Sequence, residues 1–184
     1  MTGIDEPLLD PEKRAQEMGT TMSPHVVEQI RQLVSEEPYG VLCTQSHGQP
    51  YGSMIAVAFT ADLGGAVFAT SRFTRKYQLL SDCDRVALVL NNREKYPDSL
   101  HHIEAITATG RAQEIANASE NDPSVALLLH KHPMLKSFIL APSTAVFHVS
   151  ITRYFHVHRF QEVREWRPQP QRNADSASTD PTAS

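Results

Sequence analysis

Six side chains in the segment "ATSRFTRKYQLL" (69–80) are suited to holding an anion. Arg72, Arg75 and Lys76 place three cations close together, and Thr70, Ser71 and Thr74 supply hydroxyls beside them. The chain around them carries a formal net charge of -4, so this local excess runs against the overall balance. A strand-like stretch leads into the run and a helix-like stretch leaves it, with Thr74 placed as the N-cap. Cations in the first turn of a helix oppose its dipole. The free backbone N–H groups of that turn favour an anion. A phosphate or carboxylate docked there would turn Arg75 and Lys76 into charge-assisted partners. A solvated basic turn without a ligand is the alternative that the residues alone leave open.

Other chemistry is less marked. The chain has no GxGxxG, GxxxxGK[ST], GxSxG or HExxH motif, which removes the usual warrants for dinucleotide, P-loop, α/β-hydrolase and zincin sites. No pair of carboxylates is singled out by spacing as an acid–base couple, so no catalytic residue is named. His156 and His158 alternate on one face of a strand-like segment and could ligate a metal. The preferred reading is a half-exposed strand face beside Tyr154 and Phe160, with no metal site. His130 and His132 fall at the end of a helix-like segment before Pro133, where imidazoles suit the dipole. His101 and His102 fall in a loop and carry no signal. Cys43 and Cys83 form no CxxC pair and read as reduced core thiols. The sequon at Asn117 has no consequence without secretion.

These residues need a scaffold. Residues 1–22 and 169–184 read as tails, the second one disordered from its polar, Pro-containing composition. The folded domain is then 23–168. It opens with a helix capped by Ser23, with Pro24 at its first position and Val26, Val27, Ile30, Leu33 and Val34 at helical spacing. Pro38 ends it near Glu37. Strands follow at 39–45, 51–60, 66–70, 85–91 and 102–115, with Gly110 as a bulge or bend. In the second of them Tyr51, Ser53, Ile55, Val57 and Phe59 share a face. A helix starts at Asp122 with Pro123 at its first position, and two closing strands are expected within 145–160. Short strand spacing without helical alternation predicts a mainly β fold with flanking helices: a six- to seven-stranded antiparallel barrel.

At 184 residues, 40% hydrophobic and 21% charged, the composition fits one ordinary globular domain. The acidic balance gives no reason to expect nucleic acid, and no apolar run reaches the about 18 residues of a membrane span. The charged N-terminal stretch has no signal-peptide core, so a cytoplasmic protein is expected.

The ordered set "GQPYGSMIAVAFTADLGGAVFATSRFTRKYQLLSDCDRVALVLNN" (48–92) resembles the core of the pyridoxamine 5'-phosphate oxidase-like flavoproteins, the FMN-binding split barrels. The shared features are a G-x-P strand opening, a strand pair, a basic turn, a short helix and an "RVAL" strand. The resemblance is clearest over 40–116. It implies an FMN-binding split-barrel homodimer with the cofactor at the subunit interface, acting as an oxidoreductase on a small molecule. The phosphate ligands would be Arg75 and Lys76, helped by Thr74 or Ser71. Ser53, Met54 and Ile55 would run under the flavin ring, and Ala69 and Thr70 would touch the ring or ribityl chain. Asn92 and Arg93 would reach the cofactor of the other subunit. The chain departs from true pyridoxamine 5'-phosphate oxidases where Ser53 replaces an Arg, Ala58 a substrate-phosphate Lys and Ala105 a Gln. The C-terminal substrate motif is also missing. The cofactor half of the site is therefore expected and the vitamin-substrate half is not. Rival expectations on the same barrel are a haem-binding or haem-degrading protein using His148, His156 or His158, an F420-dependent reductase, and a non-enzymatic flavin-binding redox sensor.

Overall fold

The computed structural model describes residues 24–159 and 162–168. The two tails, the cap Ser23 and Phe160 lie outside the described residues. Helix α1 spans Pro24–Glu36. Its inner stripe of Val26, Ile30, Leu33 and Val34 is buried, as the helical spacing requires. The carbonyls at its C-terminal end are closed by Lys131, whose Nζ donates to Val34 O (2.6 Å) and Glu37 O (2.8 Å).

Seven strands follow: β1 Tyr39–Ser46, β2 Gln49–Phe59, β3 Gly65–Ser71, β4 Arg85–Asn91, β5 Ala105–Glu114, β6 Thr144–His158 and β7 Glu162–Trp166. Between them lie α2 Arg75–Asp82, α3 Pro123–Lys131 and α4 Lys136–Ile139. The sheet order is β3-β2-β1-β4-β5-β6-β7, and β3 also pairs with β6. Six strands thus close into an antiparallel barrel and β7 is added on the edge of β6. None of the described helices is long and apolar enough to cross a membrane.

The turns have local causes. His47 and Gly48 both take positive φ (50° and 80°) in the two-residue turn between Ser46 and Gln49, the geometry that joins twisted antiparallel strands most directly. Leu63, also at positive φ, is held because its side chain is buried and its carbonyl accepts the Tyr154 hydroxyl (2.8 Å). Asp122 caps α3 by accepting from Ser124 N and Val125 N, with Pro123 next, as expected from sequence.

The core has two parts. Leu42, Val57, Phe68, Leu88, Ile106 and Tyr154 fill the barrel, with Phe68 stacked on Phe147 at 5.4 Å. A smaller cluster lies outside the barrel wall, where Ala58, Val67 and Val146 meet Val125, Leu128 and Ile139. That second cluster explains why Ala58, on the face opposite Val57, is also fully buried.

Three expectations need correction. The segment 145–160 does not make two strands, because both halves pair with β5 along one edge as the single strand β6. The other edge passes from β3 at Thr144–Ser150 to β7 at Tyr154–His158. A register shift between Thr109 and Gly110 absorbs the irregularity, so Gly110 does mark a bulge. The face of His156 is not half-exposed either. His156 is fully buried and His158 nearly so; the Glu104 carboxylate links His156 to Gln29 of α1, and His158 pairs with Glu162 of β7. Cys43 and Cys83 are free and half-buried, not core.

Lys131 gives a pH-dependent stability. Burial pulls its ammonium from an ordinary 10.5 down to about 8, against the opposing pull of Glu37. Between those values the unfolded chain holds a proton that the folded chain has released, so stability should rise with pH across that window. Below about pH 8 the full cost of the buried charge is present. Urea unfolding at a series of pH values should show this rise in the wild type and a flatter profile in Lys131→Met. Parallel profiles would remove Lys131 as its source.

Candidate functional site

A cavity of about 270 Å³ lies on the outer face of the barrel, between β2, the β3–α2 connection and the helices α3 and α4. Its floor is Met54, Ile55 and Ala56 of β2 with Ala69 of β3. One wall carries Thr70, Ser71, Thr74 and Lys76. Seven of the eleven residues expected from sequence therefore meet here: Met54, Ile55, Ala69, Thr70, Ser71, Thr74 and Lys76.

The hydroxyls are not equivalent. Thr74 is the N-cap of α2: its Oγ1 accepts from Tyr77 N (3.3 Å) and donates to Ser71 O (2.8 Å). Its single proton is thereby used, so in the 2.9 Å pair between Thr70 and Thr74 the hydroxyl of Thr70 is the donor. The Ser71 hydroxyl accepts from Phe73 N (3.3 Å), which leaves its own proton for a ligand. The backbone N–H groups of Arg75 and Lys76 find no acceptor among the described residues. They point outward from the end of an eight-residue helix with no acid in its first turn.

The three cations of this turn separate. Arg72 pairs with Glu114, donates to Tyr77 Oη (3.0 Å) and lies over the Tyr77 ring. Its counterion is internal. Arg75 stacks over the Tyr51 ring at 5.1 Å and is not among the cavity-lining residues. Lys76 is different: it lines the cavity, donates to Met54 O (2.9 Å) and pairs with no carboxylate among the described residues. Burial lowers its pKa, and an anion beside it would oppose that shift by favouring the charged form.

The remaining expected residues lie elsewhere. Ser53 alternates to the barrel side of β2, and its Oγ is buried without a partner in the described residues. Asn92 Oδ1 accepts from Glu104 N (2.7 Å), and Arg93 N donates to Asn91 Oδ1 (3.3 Å). Both serve the loop between β4 and β5 and neither lines the cavity. Sequence reasoning missed Ala56 and the second wall, formed by Leu128, Leu135, Phe138 and Ile139. The spacing of Leu135, Phe138 and Ile139 was an available helical signal.

The helical wall is fixed to the barrel. His132 donates from Nε2 to Val57 O (3.1 Å) and packs against Tyr39. Its pKa is lowered by burial, an effect the Val57 contact opposes. Of the histidines, His148 lines a separate cavity of about 560 Å³ with Asp62, Gly65 and Ser150. Among the described residues no group of three His, Cys, Asp or Glu could hold a metal ion.

The sequence profile of the pyridoxamine 5'-phosphate oxidase family matches residues 26–158. The chain belongs to this family. Comparison with curated proteins gave no match. Among solved structures, a heme binding protein from Mycobacterium smegmatis is similar with a TM-score of 0.69 and 18% identity, over 79% of this chain. The match spans 59% of that protein's length. HutZ, a heme storage protein from Vibrio cholerae, gives 0.57 and 16%, over 70% of this chain and 89% of its own. An FAD-binding protein from Mesorhizobium loti gives 0.52 and 14%, over 71% and 90%. At these identities the likeness establishes the split-barrel fold of the family.

Proposed function

We propose that the chain is a cytoplasmic flavoprotein that binds FMN in the 270 Å³ cavity and uses it to oxidise or reduce a small molecule. The observation that carries this reading is Lys76, a half-buried ammonium beside two backbone N–H groups and the Ser71 hydroxyl, with no carboxylate partner for the first and no acceptor for the others among the described residues. That set suits a phosphate, and the rest of the lining is apolar, as one side of a flavin ring would need. The protein would hold and orient the cofactor, and bound flavin would supply the redox chemistry. A homodimer is part of the reading. Met54, Phe73, Met134 and Phe138 are exposed apolar side chains on the segments that line the cavity, and a second copy would cover them.

Pyridoxamine 5'-phosphate is not the proposed substrate. Ala58, where the resemblance would need a cation, is buried under α3 and offers no charge.

One observation favours haem instead. His148 faces the larger cavity and has no hydrogen-bond partner among the described residues, whereas His156 is sealed and held by Glu104. The absorbance spectrum and mass of the cofactor released from purified protein separate the two. A flavin spectrum with the mass of FMN, on a particle of twice 20.5 kDa by light scattering, is the expected result. A Soret band with no flavin uptake would replace this reading with the haem one.

A further inference from the structure

We infer, on the reading that the cavity takes FMN, that Leu128, Leu135, Phe138 and Ile139 are specificity-determining residues that receive the dimethylbenzene edge of the flavin. The site then selects a 7,8-dimethyl flavin over an 8-hydroxy deazaflavin.

Polarity is divided unevenly in the cavity. Its side-chain hydrogen-bonding groups belong to one wall, where Thr70, Ser71, Thr74 and Lys76 stand. The wall contributed by α3, the turn at Pro133–Leu135 and α4 presents only carbon from Leu128, Leu135, Phe138 and Ile139. A flavin has two unlike edges. The pyrimidine edge carries two carbonyls and an N–H, and the opposite edge carries two methyl groups. Pressed against the carbon wall, each polar group of the pyrimidine edge would lose its water without a replacement, about a 5- to 150-fold loss per group. Each methyl buried there gains about fourfold. The dimethylbenzene edge therefore faces the helices, and the pyrimidine edge faces the open side.

The wall is built to keep its shape. Leu128 and Ile139 belong to the cluster shared with Ala58, Val67 and Val146, and His132 and Lys131 fasten the helical unit to Val57 and to the end of α1. Phe138 is 40% exposed and forms the rim. A deazaflavin of the F420 type has no methyl groups on this edge and carries an ionisable hydroxyl at position 8, which the carbon wall cannot solvate.

The test uses 8-chloro-FMN bound to the purified protein, with binding measured first. Added thiophenolate attacks C8, a C–S bond forms, and chloride leaves. The complex should react at least tenfold more slowly than free 8-chloro-FMN. Phe138→Ala, at a half-exposed position, should raise that rate while leaving the preference for FMN over riboflavin intact. In parallel, 7,8-didemethyl-FMN should bind about 15-fold more weakly than FMN. Bound 8-chloro-FMN that reacts as fast as the free flavin, or equal affinity for the didemethyl analogue, would overturn the assignment. Failure of FMN itself to bind would overturn the reading of the cavity and this assignment with it, and is recognised before any thiol is added.

Discussion

Lys76→Ala should weaken FMN binding by about 10- to 150-fold and leave riboflavin binding almost unchanged. The estimate is one charge-assisted contact to a phosphate, roughly 1.5–3 kcal/mol. Lys76 is the cation of the basic turn that lines the cavity, and its ammonium rests on Met54 O at 2.9 Å. Arg75, held over Tyr51 outside the lining, should matter less: Arg75→Ala should cost at most about fivefold, the scale of an exposed charge. Arg72→Ala acts on an internal pair with Glu114 and should show in stability rather than affinity. Because Lys76 also ties α2 to β2, a purely structural role would weaken both ligands alike. Titrations of FMN and riboflavin on wild type and Lys76→Ala decide between the two. Equal losses for the two ligands mean that Lys76 supports the fold, and the phosphate assignment is then withdrawn.

The contrast between Lys76 and its two neighbours shows what was legible in the sequence and what was not. The basic turn, its Thr74 cap and the strand that leads into it are local features, set by residue type and order, and they were readable. Which cation faces the cavity is not local. Arg72 is taken by Glu114 at the end of β5, and Arg75 by Tyr51 on β2. Likewise Met54 and Ser53 are adjacent in sequence, but Met54 lines the cavity and Ser53 does not, its hydroxyl being buried. The helical wall was missed for a related reason. Nothing local to Leu128 or Ile139 tells which surface they cover; the second cluster outside the barrel does. Strand β7 was missed because its sequence, EVREW, is mostly charged. It pairs along one edge only, and its Glu162, Glu165 and Trp166 meet His158, Arg153 and Tyr154 of β6.

Gly110→Ala should destabilise the protein by about 3 kcal/mol, a fall in Tm of roughly 6–12 °C for a domain of this size. The glycine was expected at a bulge, and the structure gives the reason it must lack a side chain. A Cβ at this position would stand 2.3 Å from Ser150 O and 3.1 Å from the Ile151 Cα, both backbone atoms that no rotamer change can move. The φ angle is not the constraint here, since Gly110 is not among the positive-φ residues. Gly48 is the useful contrast: its φ is +80° and a Cβ there would meet nothing within 4 Å. Gly48→Ala should therefore cost only about 1–2 kcal/mol, through backbone strain alone. The larger effect at Gly110 follows from what the bulge does. The shifted register lets Ile151 and Tyr154, three residues apart, both face the core, and it brings the Tyr154 hydroxyl to Leu63 O. Forcing β5 and β6 apart at this point would loosen that contact as well as the pairing on either side. Thermal and urea unfolding of the two alanine variants beside wild type provide the measurement. A Gly110→Ala protein that melts with wild type would mean the strands can separate there without loss, and the bulge would then have no part in holding Tyr154 in the core.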